Sequence, residues 1–177
     1  MTDLTPITAL GAAKPAEVSH GSLTLTERPD IGLASLALRK GVTCPEGLPA
    51  AGEATDRVFW IGPGQWMIEG PGQADSDFAA QVKGDFPGCS VTEQTDGFSV
   101  VEVHSHDGAA AIEALLAKLV NIDPVALAPG CAHRTALHHM TVFVIRRADD
   151  QIAIIGMRGY AGALWHAVDL AARRLES

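Results

Sequence analysis

The sequence predicts an α+β fold in which antiparallel sheets are covered by helices. Short apolar segments with strand-like patterns are separated by turn signals, among them Gly62-Pro63-Gly64 and Ala148-Asp149-Asp150. Helical periodicity appears in three longer segments. The elements follow one another as β-β-α-β and β-α-β-β-α, an order too mixed for a doubly wound sheet. We therefore interpret the chain as two intertwined β-α-β-type repeats.

The beginning of the chain differs from the rest in composition. Residues 1–21 are rich in Ala, Pro, Thr and Gly and show no periodicity, so we interpret them as an irregular N-terminal arm. The arm is either a disordered tail or a segment laid across a partner. We expect residues 22–177 to form a single domain with two similar halves, at about 57–97 and 98–177.

A tryptophan-containing hairpin is the clearest element of the first half. Trp60 and Trp66 flank the Gly62-Pro63-Gly64 turn, with apolar residues on both sides. Large aromatic side chains are costly to expose, so the hairpin is expected to anchor a core or an interface. Residues 41–56, which are rich in Gly and Pro, are expected to form a loop. In chain order we expect strands at 22–27, 31–39, 57–61 and 65–69, a helix at about 75–84, a strand at 90–93 and a turn at 94–97.

The second half is expected to begin with a strand that leads into a helix. Asp107 is a plausible N-cap for this helix, whose inward stripe includes Ile112 and Leu115. The last helix carries Leu164 and Trp165 on its apolar face. In chain order we expect a strand at 98–104, a helix at 108–120, a loop at 121–131, strands at 140–147 and 151–157, and a helix at about 159–175.

The charge balance and the composition exclude several classes of function. The 177 residues include 13 basic and 21 acidic side chains, for a formal net charge of −8, which argues against nucleic acid or an anionic membrane as a partner. The N-terminus lacks a secretory pattern, and no apolar segment approaches the roughly 20 residues of a membrane-spanning helix. The three widely spaced cysteines do not suggest a disulfide framework. We therefore expect a cytoplasmic protein.

The candidate catalytic and metal-binding residues also have ordinary structural interpretations. His104 and His106 share a strand face and could bind a metal, but no third ligand follows at a recognisable spacing, so hydrogen-bonded surface histidines are favoured. Asp96 could act as a general base, yet an Asp-Gly turn requires the same residue. The glycine-rich turns lack the features of a phosphate loop, and no Ser or Cys lies in a nucleophile context. We expect no catalytic, cofactor-binding or metal-binding residue in this chain.

Aromatic and arginine side chains are the better candidates for function, because these residue types dominate the energetics of protein interfaces. The alternative for the aromatic residues is the domain's own core, which we favour for Trp165 because it lies on an inward helical stripe. The two arginines could bind an anion or an acidic residue of a partner, or form internal salt bridges. The candidate interface or core anchors are Trp60, Trp66, Arg134, Arg158, Tyr160 and Trp165.

The order of several short segments resembles the gamma subunit family of heterotetrameric sarcosine oxidase. The resemblance covers about residue 31 to the end. Two departures from the family pattern are Gly64, where an acidic residue is usual, and Gly159, where Ser is usual. The segments that carry the resemblance are residues 59–68, 91–98, 121–124, 130–131, 134–135 and 158–165.

The resemblance implies a fold similar to the folate-binding domains of aminomethyltransferases. It also implies an assembly that oxidatively demethylates sarcosine to glycine, produces hydrogen peroxide and passes the one-carbon unit to tetrahydrofolate. The expected partners are the alpha, beta and delta subunits, and FAD, FMN, NAD, zinc and tetrahydrofolate are expected in those subunits rather than in this one. The resemblance therefore favours a non-catalytic subunit that supports the large subunits. The alternatives are a stand-alone folate-binding aminomethyltransferase-like protein and a self-associating binding module.

Overall fold

The structure, a computed structural model, describes residues 7–176 and has a mixed α+β architecture in which every strand pairing is antiparallel. The first six strands along the chain are β1 (Glu17–His20), β2 (Leu23–Glu27), β3 (Gly32–Ala37), β4 (Val58–Gly62), β5 (Gln65–Gly70) and β6 (Ser90–Glu93). They are followed by β7 (Phe98–Ser105), β8 (Cys131–Leu137), β9 (Met140–Ala148) and β10 (Gln151–Met157). The helices are α1 (Phe78–Asp85), α2 (Ala109–Leu119) and α3 (Ala161–Arg173).

These strands form two sheets that face each other. The larger sheet has six strands in the order β1-β2-β7-β10-β9-β8, and the smaller has four in the order β4-β5-β3-β6. Helices α2 and α3 cover the outer face of the six-stranded sheet, while α1 packs on β3 and β6 of the other. The domain is therefore layered as helices, sheet, sheet, helix.

Alternation along the central strands divides the apolar side chains of the larger sheet between two layers. On β10, Ile152 and Ile154 face the helices, whereas Ala153 and Ile155 face the second sheet. Strand β9 alternates in the same way, with Val142 and Val144 facing the helices and Phe143 and Ile145 facing the second sheet. Both faces of these strands are buried, which explains why they are apolar at nearly every position.

The contact between the two sheets is built around aromatic rings. Phe59 of β4 is 2 % exposed, and its ring centroid lies 5.5 Å from that of Phe143 on β9. Phe98, at the start of β7, lies on the other side of Phe143 at 6.3 Å. Leu33 and Met67 complete this layer from the smaller sheet. The hairpin that the sequence singled out thus contributes Phe59 to the centre of the domain.

The outer face of the smaller sheet holds the second tryptophan. Trp66 is buried, and its Nε1 donates a hydrogen bond to the carbonyl of Pro49 at 2.8 Å, which ties the long loop before β4 to the sheet. Helix α1 approaches so closely that a Cβ at Gly70 would lie 2.5 Å from the Phe78 ring. Glycine at this position is what allows the helix to dock.

Several sequence expectations need correction. The N-terminal arm was expected to be irregular, but its last residues form β1, which pairs with β2; residues 1–6 lie outside the described part of the chain. Strand β8 was not expected at all. Asp107 is not the N-cap of α2, because Gly108, with φ of 73°, occupies that position without a side-chain hydrogen bond. The division into similar halves at about 57–97 and 98–177 stays a prediction.

Candidate functional site

A cavity of about 530 Å³ opens where the N-terminal arm crosses the ends of the two sheets. The arm supplies one wall through residues 7–15, and the segment after β2 supplies another through residues 28–31. The floor comes from residues 95–100, which include the 3₁₀ turn Thr95–Gly97 and the start of β7. Arg158, at the end of β10, completes the wall. The cavity is thus assembled from segments distant in sequence.

Glu27 fixes the arm over this cavity. Its carboxylate is buried and accepts hydrogen bonds from the backbone N–H groups of Leu10 at 3.2 Å and Ala16 at 3.1 Å. The backbone N–H of Glu27 also donates to the carbonyl of Ala16 at 2.8 Å. Hydrogen bonds to a charged acceptor are stronger than those between neutral groups. This one side chain therefore holds the arm at two points, Leu10 and Ala16.

Replacing Glu27 by Ala is expected to release the arm while leaving the sheets intact. Each lost charged hydrogen bond contributes about 1.5 to 3 kcal/mol, so the amides of Leu10 and Ala16 should exchange with solvent at least about tenfold faster. Hydrogen exchange followed by mass spectrometry measures this. Glu17→Ala is the matched control, since Glu17 is exposed and its carboxylate accepts only a 3.4 Å bond from Thr26. Unchanged exchange in Glu27→Ala would contradict the role given to this residue.

Arg28 lies in the cavity wall, but its charge is already neutralised. Its Nε and Nη2 donate to the two carboxylate oxygens of Asp30, each at 2.8 Å, and its Nη1 donates to Glu102. The hydrogen bond from Arg28 is the main cause that holds the pKa of the Asp30 carboxyl below its usual value. These two residues therefore act as a structural ion pair rather than as a free binding group.

Four other polar side chains of the wall, those of Asp75, Asp96, Ser99 and Arg158, have no partner within residues 7–176. Arg158 is half-buried, and its guanidinium makes no hydrogen bond or ion pair within residues 7–176; the same holds for the exposed carboxylate of Asp96. Ser99 is 7 % exposed, and its Oγ is enclosed without a hydrogen-bond partner in the described structure. A guanidinium without an internal partner can bind a carboxylate or phosphate in a bidentate manner. The wall can therefore bind a polar or anionic group from outside the chain.

Exposed apolar side chains precede and follow Arg158 in the chain, and another lies at the edge of the cavity that Arg158 lines. Met157 and Tyr160 are each 55 % exposed, and Ile7 at the edge of the cavity is 60 % exposed. Aromatic residues, Met and Arg are enriched at protein interfaces relative to the remaining surface. We call Ile7, Met157, Arg158 and Tyr160 the rim surface. Two of the sequence candidates, Arg158 and Tyr160, thus come together at one place.

The other four sequence candidates are distributed elsewhere. Trp66 is a core residue, while Trp60 and Trp165 are half-buried and pack against separate hydrophobic clusters. The preference for a core role of Trp165 is consistent with its contact with the α2–α3 layer. Arg134 lies exposed on β8, and its guanidinium has no hydrogen bond or ion pair among the described residues. Only Arg158 and Tyr160 contribute to the rim surface.

The histidines form no multi-ligand centre in the described range. The rings of His104 and His106 lie 4.8 Å apart, and His104 Nε2 is 3.3 Å from a carboxylate oxygen of Asp150. Across residues 7–176, no group of three His, Cys, Asp or Glu side chains is placed to bind a metal. In that same range, no helix is long and apolar enough to cross a membrane.

Sequence reasoning missed Glu27, Ser99, Met157 and Ile7 as parts of the site. Glu27 ends an amphipathic strand, and an acidic residue at such a position is usually solvent-exposed. Met157 follows four apolar positions of β10, which made it look like one more core residue. Its position at the end of that strand, beside an arginine and a tyrosine, was the available signal.

The fold is shared with proteins of known structure. It is similar to a chain of the heterotetrameric sarcosine oxidase from Corynebacterium sp. U-96, solved with pyrrole 2-carboxylate, with a TM-score of 0.72 and 20% identity. That match covers 91% of this chain and 89% of the other. No family model matches the sequence, and the search of curated proteins finds no match either.

A second solved structure has a related fold. The glycine cleavage system aminomethyltransferase T from Bartonella henselae matches with a TM-score of 0.57 and 16% identity over 84% of this chain. The match covers 48% of the aminomethyltransferase, so this chain spans about half its length. The two similarities show that this chain shares its α+β fold with a sarcosine oxidase chain and with about half of an aminomethyltransferase. Of these two, the sarcosine oxidase chain has the same fold over about nine-tenths of both lengths.

Proposed function

We propose that this chain is a non-catalytic gamma-type subunit of a cytoplasmic complex similar to heterotetrameric sarcosine oxidase. In such a complex it supports the large subunits, which perform the oxidative demethylation of sarcosine to glycine. The alpha, beta and delta subunits are its partners, and the flavins, NAD, zinc and tetrahydrofolate are bound by them. The fold similarity to a sarcosine oxidase chain supports the proposal, together with the residue resemblance along residues 31–177.

The rim surface is the single observation that carries this function. A half-buried arginine without an internal partner lies between two large exposed apolar side chains, Met157 and Tyr160. A partner that covers this surface would bury apolar area at about 25 cal/mol per Å². An acidic residue of the partner would at the same time pair with Arg158. The surface thus has both the apolar and the charged components of an interface hot spot.

Co-expression with candidate alpha, beta and delta subunits, followed by gel filtration, tests the proposal. Arg158→Glu is expected to weaken assembly at least about tenfold, which corresponds to about 1.4 kcal/mol. Tyr160→Ala should have a comparable effect, because tyrosine is among the residue types that dominate interface energy. Both positions are half-buried or exposed in the isolated chain, so folding should be preserved.

Arg134→Glu is the matched control for charge reversal, because Arg134 is exposed on the edge strand β8. If assembly is lost in Arg134→Glu but kept in Arg158→Glu, the interface lies at Arg134 and not at the rim surface. A chain that elutes alone in the presence of all three partners would refute the subunit role. Mass spectrometry of the eluted complex identifies which subunits are retained.

The cavity itself favours a second candidate, a stand-alone folate-binding protein related to aminomethyltransferases. A volume of about 530 Å³ lies within the range of small-molecule sites. Its wall carries Arg158, which could bind a ligand carboxylate, and Asp96, which could accept hydrogen bonds from a ring. Calorimetry with tetrahydrofolate on the isolated chain separates the two functions. Saturable binding that is lost in Asp96→Asn would favour the folate-binding protein.

A further inference from the structure

A second cavity, of about 410 Å³, lies between α2, the loop after it and the end of β9. It is separate from the rim surface and shares no lining residue with the first cavity. Its charged lining residues are Arg146, Asp149 and Glu113. The remaining wall is mainly apolar and includes Leu116, Val120, Ile122, Leu127 and Pro129.

Arg146 is the unusual feature of this cavity. The alternation of β9 places it on the helix-facing side of the sheet, in line with the buried Val142 and Val144. It is 2 % exposed, yet no carboxylate of residues 7–176 lies within ion-pair distance of its guanidinium. Its Nε donates to the carbonyl of Ala148 at 2.7 Å, and its Nη2 donates to that of Asp149. These two bonds leave other N–H donors of the Arg146 guanidinium without an acceptor.

A buried charge without a counter-ion is costly, and proteins normally pair it. The lining of this cavity therefore indicates an anion supplied from outside the chain. Guanidinium groups bind carboxylates in a bidentate manner. The apolar wall around Arg146 suits a carboxylate attached to an apolar body, and the volume is sufficient for a small molecule.

The two acidic residues refine the chemical class. Asp149 and Glu113 are exposed on the wall, and neither carboxylate has a hydrogen bond or ion pair with the rest of residues 7–176. They would repel a simple anionic ligand and attract a ligand that also carries a cation. A carboxylate, an ammonium group and an apolar side chain together define an apolar α-amino acid.

We propose that this cavity binds a free α-amino acid with an apolar side chain. Arg146 binds the carboxylate, and Asp149 and Glu113 bind the ammonium group. The apolar wall formed by α2 and the following loop receives the side chain. The site is independent of the proposed assembly function, so either proposal can fail without the other.

Calorimetry on the full chain with L-leucine, L-methionine and L-phenylalanine tests the site directly. At least one is expected to bind with a Kd between about 10 μM and 1 mM. Two leucine analogues test the charged contacts. Isopentylamine, which lacks the carboxylate, should not bind, and 4-methylpentanoate, which lacks the ammonium group, should bind at least about tenfold more weakly. Failure of all three amino acids to saturate, or equal binding of isopentylamine, would overturn the proposal.

Variants locate the binding without disturbing Arg146, whose hydrogen bonds hold the β9–β10 turn. Ala117 and Ala114 are both exposed on α2, but only Ala117 lines the cavity. Ala117→Phe fills the entrance and should weaken binding at least about tenfold, whereas Ala114→Phe should change it by less than about twofold. Asp149→Asn should weaken the binding of leucine but not that of 4-methylpentanoate. Equal affinities in Ala117→Phe and Ala114→Phe would place the ligand elsewhere and refute the proposal.

Discussion

Replacing Arg147 by Met is expected to lower the free energy of unfolding by about 3 to 5 kcal/mol near neutral pH, the typical cost of leaving a buried charge without its partner. Arg147 Nη2 donates to Glu69 Oε2, and Arg147 Nε lies 3.4 Å from Glu102 Oε1, which is an ion-pair distance without hydrogen-bond geometry. The Glu69 side chain is only 3 % exposed, and its Oε1 has no hydrogen-bond partner in the described structure. The variant would therefore leave Glu69 charged and enclosed.

Arg134→Met is the matched control for this substitution. Arg134 is exposed and has no partner among residues 7–176, so the same change should alter stability by less than about 0.5 kcal/mol. The double variant Glu69→Met with Arg147→Met replaces both charges by apolar groups of similar size. It should recover most of the loss, because such replacements of buried pairs are often neutral or stabilising. Urea unfolding of the four proteins measures each difference.

The stability loss in Arg147→Met depends on pH, and the sign of this dependence follows from the Glu69 carboxyl. Burial raises the pKa of this carboxyl, and the charge of Arg147 counteracts that shift. The folded protein therefore holds the proton to higher pH than the unfolded chain does. Protonation of Glu69 favours the folded state below the carboxyl's ordinary pKa, and this contribution is lost as pH rises through the folded-state pKa.

Removing Arg147 raises the pKa of Glu69 in the folded state further. The stability gap between wild type and Arg147→Met should therefore be smaller at acidic pH and should widen toward neutral pH, because Glu69 keeps its proton to a higher pH in the variant than in the wild type. Unfolding curves at about pH 5 and about pH 7.5 measure the two gaps. A gap of equal size at both values would show that the loss comes from packing rather than from an unpaired carboxylate.

The sequence predicted the central strands correctly and missed the edges of one sheet. Strands β1 and β8 are the two outermost strands of the six-stranded sheet, and both have few buried side chains. In β8 only Ala132 and Leu137 are buried, so an edge strand of this kind lacks the apolar alternation on which sequence reasoning depends. Strands β9 and β10, which are buried on both faces, gave an unmistakable apolar signal.

The candidate site was only partly predictable for a related reason. Arg158 and Tyr160 were recognised because their residue types favour interfaces. Their proximity to Ser99 and to the arm residue Ile7 depends on the packing of segments far apart in the chain. The unpaired state of Arg158 likewise depends on which carboxylates the fold places nearby, and Asp30 is instead bound by Arg28. No local pattern encodes such an arrangement.

Phe59→Ala is expected to destabilise the domain by about 3 to 5 kcal/mol, the range for a large aromatic removed from a well-packed core. Phe59 is 2 % exposed in the layer between the sheets and contacts the Phe143 ring. Phe98→Ala is the matched control, because Phe98 contacts the same ring but is only half-buried. Its expected loss is about half as large, since the transfer energy scales with buried area. Equal losses of stability in the two variants would show that Phe59 contributes no more to the core between the sheets than Phe98 does.

This core also positions the site, because the cavity takes residues from both sheets. Arg158 follows β10 of the larger sheet, and Thr95 follows β6 of the smaller one. If the rim surface is an interface, Phe59→Ala should weaken assembly only in proportion to the fraction of unfolded chain, and adding a partner should restore the folded state by mass action. Arg158→Glu should instead weaken assembly without changing the unfolding curve. Measuring both quantities for both variants separates the residue that holds the surface in place from the residue that binds the partner.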